Sequence, residues 1–180
     1  MAEARHRVMA NYQDSRQTEP ETSSEYRLLD KFTGTWMTKG RQYRGPIGPE
    51  TTIAAVERYE WLSGNKFLIH HFDGHVGESE AACIEIIGYD ADSQSYPVHT
   101  YYNNGMANEW RYWERGITWI LIGSWPFPGA RSGQLSGKEM RVRCTVVFDD
   151  DGREMTGKWE YSNDGTKWET FWDVKSKRVG

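Results

Sequence analysis

Apolar and polar residues alternate in short runs along most of the chain, and residues typical of turns separate these runs. In one run, Ile53, Ala55, Glu57, Tyr59 and Trp61 fall on a single face, because successive side chains of a strand point to opposite sides. Alternation of this kind predicts β-strands. The predicted strands cover residues 35–43, 51–62, 66–72, 80–89, 96–103, 106–114, 117–123, 138–148, 154–161 and 167–174.

The segments between these strands are short and rich in turn residues. Asn103-Asn104-Gly105 predicts a tight hairpin, and Asp73-Gly74 also indicates a turn. The longest late loop is predicted over residues 126–137, which are rich in Pro, Gly and Ser. Hairpin-linked strands form an antiparallel up-and-down sheet, and closure into a barrel removes its open edges. We therefore predict an all-β fold, a closed barrel of about ten strands.

The N-terminal part of the chain has a different pattern. Residues 1–22 are polar and charged, which predicts a loose arm. Ser23 or Ser24 can then cap a short helix, and Gly34 ends it. We expect this helix to cover one end of a single barrel domain over residues 23–180.

Several ordered segments resemble a known family. They are Leu28-Leu29-x-x-Phe32-x-Gly34-x-Trp36, Trp61-Leu62-x-Gly64-x-x-Phe67-Leu68, Ile87-Gly88-Tyr89-Asp90 and Asp164-Gly165-x-x-Trp168. Together they resemble the lipocalin-like (calycin) superfamily, and more closely a bacterial family of unknown function with a lipocalin-like barrel. The resemblance covers about residues 24–178 and implies a fold; it brings no shared catalytic residues.

Composition narrows the possible partners. The net charge of −4 gives no basic field for nucleic acid or anionic lipid, and no apolar run reaches the length of a membrane span. A cytoplasmic protein is therefore expected. Cys83 and Cys144 lack metal-ligand spacing and are interpreted as reduced core residues, with a disulfide as the alternative.

Two carboxylates are candidates for acid–base chemistry. Glu57 lies among apolar residues on the face described above, and Glu85 lies on the face opposite Ile84 and Ile86. A carboxylate inside a barrel needs a partner or a raised pKa, so either could act as a general acid or base. Alternatively, the pleat turns them outward, because periodicity alone does not fix strand register.

Histidines provide the other candidate proton carriers. His70 and His71 are neighbours in one strand, so one of them faces the interior. His99 and Tyr101 share a face of their strand, either as a buried histidine satisfied by a tyrosine hydroxyl or as part of a site. Glu57, His71, His99 and Tyr101 are the predicted catalytic residues, and His70 is assigned to ligand binding.

A metal site was considered and is not favoured. His71, Asp73 and His75 share a face only if the strand continues through Asp73, and such neighbours lie about 6.6 Å apart, too far for one metal ion. A haem or metal barrel is therefore the least favoured hypothesis, and no cofactor is predicted.

Aromatic residues are abundant, with nine Trp and ten Tyr, more than core filling requires. Aromatic walls with a few polar groups are typical of small-molecule pockets. Some could instead form an outer cluster, for example a homodimer contact. Arg143 alternates with apolar residues and faces either water or, in an inverted barrel, an acidic ligand. The remaining predicted ligand-binding residues are Trp61, Trp110, Tyr112, Arg143, Trp159 and Trp172.

Two functions fit this pattern. The first is a binding barrel that holds a small hydrophobic, aromatic metabolite in an internal cavity. The second is a cofactor-free enzyme of isomerase, cyclase or hydratase/lyase type, which uses His, Glu and Tyr side chains in the same cavity. The composition of the cavity wall distinguishes them.

Overall fold

Ten antiparallel strands account for most of the computed structural model, which describes residues 24–126 and 139–179. A short helix, α1 (Ser24–Leu28), and a 3₁₀ turn (Leu29–Lys31) precede them. The strands are β1 (Gly34–Gln42), β2 (Thr51–Trp61), β3 (Leu68–Val76), β4 (Ser79–Ile87), β5 (Tyr96–Tyr102), β6 (Ala107–Arg115), β7 (Thr118–Pro126), β8 (Glu139–Phe148), β9 (Glu154–Ser162) and β10 (Glu169–Arg178). The predicted arm over residues 1–22 and residues 127–137 of the predicted loop lie outside the described residues.

The sheet closes on itself. Each strand pairs with its neighbours in sequence, and β1 pairs with both β2 and β10, which completes the barrel. The prediction of a closed, antiparallel, up-and-down barrel of ten strands with a short N-terminal helix is confirmed. Cys83 and Cys144 are free cysteines, as predicted.

The predicted turn at Asp73-Gly74 is wrong. β3 continues through both residues, and the chain turns at Gly77, whose φ of +62° favours glycine. Gly74 serves a close approach instead, because a Cβ there would collide with the backbone of Ala54 and Ala55 on β2. The glycine that indicated a turn therefore belongs to the strand interior.

The end of the barrel beside the helix is filled. We call it the closed end. Its packing centres on Phe32, whose ring lies 5.1 Å from that of Trp119 and 5.0 Å from that of Phe148. Trp36 is fully buried nearby, and its indole Nε1 donates a hydrogen bond to the carbonyl of Phe32 at 2.7 Å. The helical segment thus acts as a plug that is fastened to the first strand.

The opposite end is where β1, β3, β5, β7 and β9 finish. We call it the open end. Its described connections are the segments 43–50, 77–78, 103–106 and 163–168. No helical element covers it within the described residues.

Some apolar side chains lie on the outside of the barrel. Val56, Ile84 and Tyr101 are each more than two-fifths exposed. A homodimer contact, like a cytoplasmic location, stays a prediction. Among the described residues, no helix has both the length and the apolar character that crossing a membrane requires.

Candidate functional site

A cavity of about 750 Å³ extends into the barrel from the open end as far as Phe32. This volume falls within the range of small-molecule pockets. Apolar and aromatic side chains form most of its wall, including Phe72, Tyr102, Met106, Trp125, Trp159 and Trp172. Trp172 also contacts both Trp125 and Trp159 edge to face, with ring centroids 5.9 Å apart in each pair. The cavity therefore has a rigid aromatic wall.

A charged group lies at the base of this cavity. The imidazole of His70 stands between two buried carboxylates: Nδ1 lies 2.8 Å from Oε2 of Glu85, and Nε2 lies 3.0 Å from Oε2 of Glu57. All three side chains are about nine-tenths buried. Their removal from water is offset by mutual pairing, as a buried charged group requires.

Strand register brings this group together. Tyr59, His70, Glu85 and Thr100 lie directly opposite one another on β2, β3, β4 and β5. Because side chains at paired positions project to the same face, all four enter the barrel. The Thr100 hydroxyl donates to Oε1 of Glu85 at 2.9 Å.

Glu57 has further partners. The Thr38 hydroxyl donates a hydrogen bond to Oε1 of Glu57, and the Tyr59 hydroxyl lies 3.3 Å from Oε2. Thr38 also shares a 2.6 Å hydrogen bond with Ser176 of β10. The ring of Tyr59 stacks on the imidazole of His70, with centroids 3.9 Å apart and planes nearly parallel. Hydroxyl groups and a stacked ring therefore hold the charged group in place.

The contact between His70 and Glu57 is an ion pair rather than an aligned hydrogen bond. Nε2 of His70 lies 3.0 Å from Oε2 of Glu57, but its N–H is not aligned with the carboxylate. Nε2 itself has almost no accessible surface. This edge of the imidazole therefore faces Glu57 rather than the cavity.

The surroundings decide the protonation of these groups. Burial alone would lower the pKa of His70, but the two neighbouring carboxylates, Glu57 and Glu85, outweigh burial and raise that pKa to about 9. Burial alone would raise the pKa of Glu57, yet His70 and the two hydroxyl partners lower it overall. Burial raises the pKa of Tyr59 well above its usual value. At neutral pH, His70 is therefore a cationic donor rather than a free base.

The charges that line the cavity are acidic. Glu57 and Glu85 lie at the base, and Glu78 and Glu80 lie at the mouth. Among the described lining residues, His70 is the single basic side chain, and none is Lys or Arg. The described wall is therefore aromatic and acidic. No group of three or more His, Cys, Asp or Glu side chains in the described part of the chain is arranged to hold a metal ion.

Five residues predicted from the sequence line this cavity. They are Glu57, His70, Tyr112, Trp159 and Trp172. Their functional roles stay predictions.

Four other predicted residues lie on the outside of the barrel, so their placement in a site is corrected. His99 and Tyr101 are exposed, because Val98, Thr100 and Tyr102 take the inward positions of β5. His71 points outward next to the inward His70, and its Nε2 lies 3.5 Å from Glu60.

The fourth outward residue is Arg143. It donates to Oε2 of Glu160 at 2.8 Å and lies over the ring of Trp168 on the outer surface. The ordinary pattern, with Met140, Val142 and Cys144 facing inward, holds for β8, and the barrel is not inverted there.

Two predicted tryptophans are internal but do not line the cavity. Trp61 lies at the closed end, where its indole Nε1 donates to Oδ1 of Asp30 at 2.8 Å. Trp110 is buried behind the wall, with its ring 6.0 Å from that of Trp125. Neither is therefore among the residues that line the cavity.

Sequence reasoning missed part of the site. Glu85 is a candidate acid or base but is not among the predicted site residues, and Trp125 falls beyond the predicted end of its strand. Thr38 is not among the predicted residues either, although it shares an inward face with Trp36. The alternation within β1 could have identified Thr38; the Trp125 position depends on where β7 ends.

The chain belongs to a family described as Protein of unknown function (DUF1579), whose model matches residues 21–178. This agrees with the resemblance to an uncharacterised lipocalin-like family. No curated protein matches the sequence.

Solved structures share the fold. A structure of Rv2717c from M. tuberculosis aligns with a TM-score of 0.61 and 11% identity, over 89% of this chain and 100% of that one. An S-type phycobiliprotein lyase, CPES, from Guillardia theta aligns with a TM-score of 0.52 and 11% identity, over 93% of this chain and 98% of that one. At this identity the likeness shows a common barrel fold.

Proposed function

We propose that this member of the DUF1579 family binds a small hydrophobic, aromatic molecule inside its barrel. The observation that carries the proposal is the cavity of about 750 Å³, which combines an aromatic wall with a buried polar group. Apolar walls and a few fixed polar groups are what small-molecule sites require, because the first supply affinity and the second supply orientation.

The wall is suited to flat, apolar ligands. Trp125, Trp159 and Trp172 present large aromatic surfaces whose mutual contacts limit their movement. Rigid side chains lose little conformational entropy when a ligand binds. The similar fold of a phycobiliprotein lyase supports the use of such a barrel for small molecules.

The test uses N-phenyl-1-naphthylamine, an uncharged aromatic probe that fluoresces in apolar surroundings. Cys83 lines the cavity, and Ile84, its neighbour on β4, is exposed outside the barrel. We expect saturable binding to the wild-type protein. Cys83→Trp should weaken it by about tenfold or more, because the added indole occupies ligand space, whereas Ile84→Trp should leave it unchanged.

Circular dichroism shows whether each variant is folded. If the wild-type protein does not bind the probe saturably, or if the two folded variants bind it equally well, the cavity is not the binding site.

A second candidate function is cofactor-free acid–base catalysis of isomerase, cyclase or hydratase/lyase type. The observation that favours it is the buried pair at the base, where a cationic His70 lies 3.0 Å from an ionised Glu57. His70 would donate a proton or a hydrogen bond, and Glu57 would accept a proton from the substrate.

Deuterium exchange separates the two functions. An enzyme that removes a carbon-bound proton should exchange deuterium from D₂O into bound aromatic carbonyl compounds, as seen by NMR. Glu57→Gln should slow that exchange by about 10²–10⁴-fold. If the compounds bind but no deuterium is exchanged, only the binding function is supported.

A further inference from the structure

The loop that joins β1 to β2, residues 43–50, forms part of the mouth of the cavity. Ile47 and Pro49 line the cavity, and Ile47 also packs against the core. The backbone turns back on itself, because the N–H groups of Gly45 and Gly48 each donate to the carbonyl of the other, at 3.0 and 3.2 Å. This segment, which we call the entrance loop, is therefore a structured part of the wall.

Gln42 joins the entrance loop to a tryptophan of the wall. It is the last residue of β1, is 4% exposed, and pairs directly with Trp172 on β10. Its Oε1 accepts a hydrogen bond from the indole Nε1 of Trp172 at 2.9 Å, and its Nε2 donates to the carbonyl of Pro49 at 2.7 Å. An indole N–H can only donate and a carbonyl can only accept, so the two bonds require a side chain with one acceptor and one donor. The amide of Gln42 meets that requirement.

The start of the loop has a separate attachment. The Tyr43 hydroxyl donates to Oδ2 of Asp173 at 2.8 Å, and neither of these residues lines the cavity. Gln42 instead contacts the cavity side of the loop, where the backbone passes so close that a Cβ at Gly48 would lie 3.0 Å from its Nε2. Gln42 therefore holds the cavity side of the loop to Trp172.

We infer that Gln42 is a positioning residue for ligand binding: it fastens the entrance loop to Trp172 and so holds the mouth and the aromatic wall in the arrangement that receives an aromatic molecule. A ligand that enters this arrangement does not have to order the loop or the indole, which would cost conformational entropy. This inference rests on the proposed binding function and assigns Gln42 a role in it.

Stopped-flow fluorescence with N-phenyl-1-naphthylamine tests the inference. Gln42→Met keeps the length and approximate shape of the side chain but removes the N–H donor and the strong acceptor. We expect the dissociation rate constant of the probe to rise about tenfold, with a matching loss of affinity. In the free variant, the NMR signal of the Trp172 indole N–H should move upfield, because that N–H loses its acceptor.

Asp30→Ala is the matched control at the closed end. It removes the acceptor of another indole hydrogen bond, that of Trp61, and neither residue lines the cavity. This variant should move the Trp61 signal and leave the release of the probe unchanged. Urea denaturation of both variants measures stability separately. A purely structural role of Gln42 would lower the free energy of unfolding without changing the dissociation rate.

Gly48→Ala disturbs the same contact from the side of the loop and decides the question if Gln42→Met does not fold. Gly48 has a φ of +145°, and an added Cβ would press against the amide of Gln42, so the loop or the amide must move. Gly64→Ala, at a φ of +93°, places similar strain in a loop of the closed end. We expect faster release of the probe in Gly48→Ala and unchanged release in Gly64→Ala.

The outcomes separate this inference from the proposed function. If the wild-type protein does not bind the probe, the proposed function fails and this inference falls with it. If the wild-type protein binds the probe but folded Gln42→Met releases it at the wild-type rate, or if the control variants release it equally fast, the binding function stands and the positioning role of Gln42 is overturned.

Discussion

The two ends of the barrel use aromatic residues in different ways. At the closed end, Phe32, Trp36, Trp119 and Phe148 are each at most 3% exposed and fill the space beneath the helix. At the open end, Trp125, Trp159 and Trp172 are only partly buried and surround an empty volume. Residues of one chemical type therefore form a core at one end and a pocket wall at the other.

The polar residues follow the same division. At the closed end, the hydrogen bonds of the plug include Trp36 Nε1 to the carbonyl of Phe32, the Thr33 hydroxyl to the carbonyl of Asp30, and Trp61 Nε1 to the Asp30 carboxylate. Between the two ends, His70 and the two glutamates form a buried charged group that faces the cavity. Stability should therefore depend most on the closed end and recognition on the open end, and each prediction below tests that division.

The largest effect is expected at the closed end. Trp36→Ala should lower the free energy of unfolding by about 3–5 kcal/mol, because it removes a fully buried indole and its hydrogen bond to Phe32. Trp172→Ala should cost about 1–2 kcal/mol, because that side chain already borders open space. Urea denaturation of the two variants measures the difference. Equal losses would contradict the division.

Stability should depend on pH through His70. Its folded-state pKa, about 9, is above its ordinary value of 6.5, so the stabilisation is complete below pH 6.5 and is lost as pH rises toward 9. Each pKa unit corresponds to about 1.4 kcal/mol, which makes the loss on the order of 3 kcal/mol. The groups that face His70 are Glu57, Glu85 and Tyr59. Glu57 changes its charge at acidic pH, and Tyr59 changes its charge only above pH 10.

Denaturation at several pH values between 6.5 and 8.5 checks this dependence, with His70→Gln as the comparison. The wild-type stability should fall across this window, while that of His70→Gln should stay nearly constant. The same slope in both proteins would show that His70 is not the group responsible.

The smallest effect is expected outside the barrel. His99 is exposed, and its ring lies 3.6 Å from a carboxylate oxygen of Glu109, itself well exposed. Exposed ion pairs of this kind contribute little to the stability of a protein. His99→Ala should change stability by less than about 0.5 kcal/mol and should leave probe affinity unchanged. Weaker binding in the folded variant would restore His99 to the site and undermine the assignment to His70.

The sequence predicts the barrel because the signals for strands and turns are local. Alternation, hairpin turns and the glycine after the short helix each depend on a few neighbouring residues. The base of the cavity depends on register between four strands, which pairs Tyr59 with His70 and His70 with Glu85. A one-residue shift of the strand register would turn those side chains outward, and a single sequence does not determine the register.

The same limit explains the error at His99. Its strand alternates regularly, and the pattern Val98, Thr100 and Tyr102 is about as apolar as Pro97, His99 and Tyr101. Only the pairing of Thr100 with the inward Glu85 decides which set faces the cavity. His70 and His71 presented the same choice, and there the sequence left it open.

The most direct test of the binding site is an NMR titration that observes the indole N–H groups of the nine tryptophans. On addition of N-phenyl-1-naphthylamine, we predict that the signals of Trp125, Trp159 and Trp172 shift, while those of Trp36 and Trp119 at the closed end do not. If the closed-end signals shift instead, or if no signal of the three wall tryptophans moves, the open end is not where this protein binds its ligand.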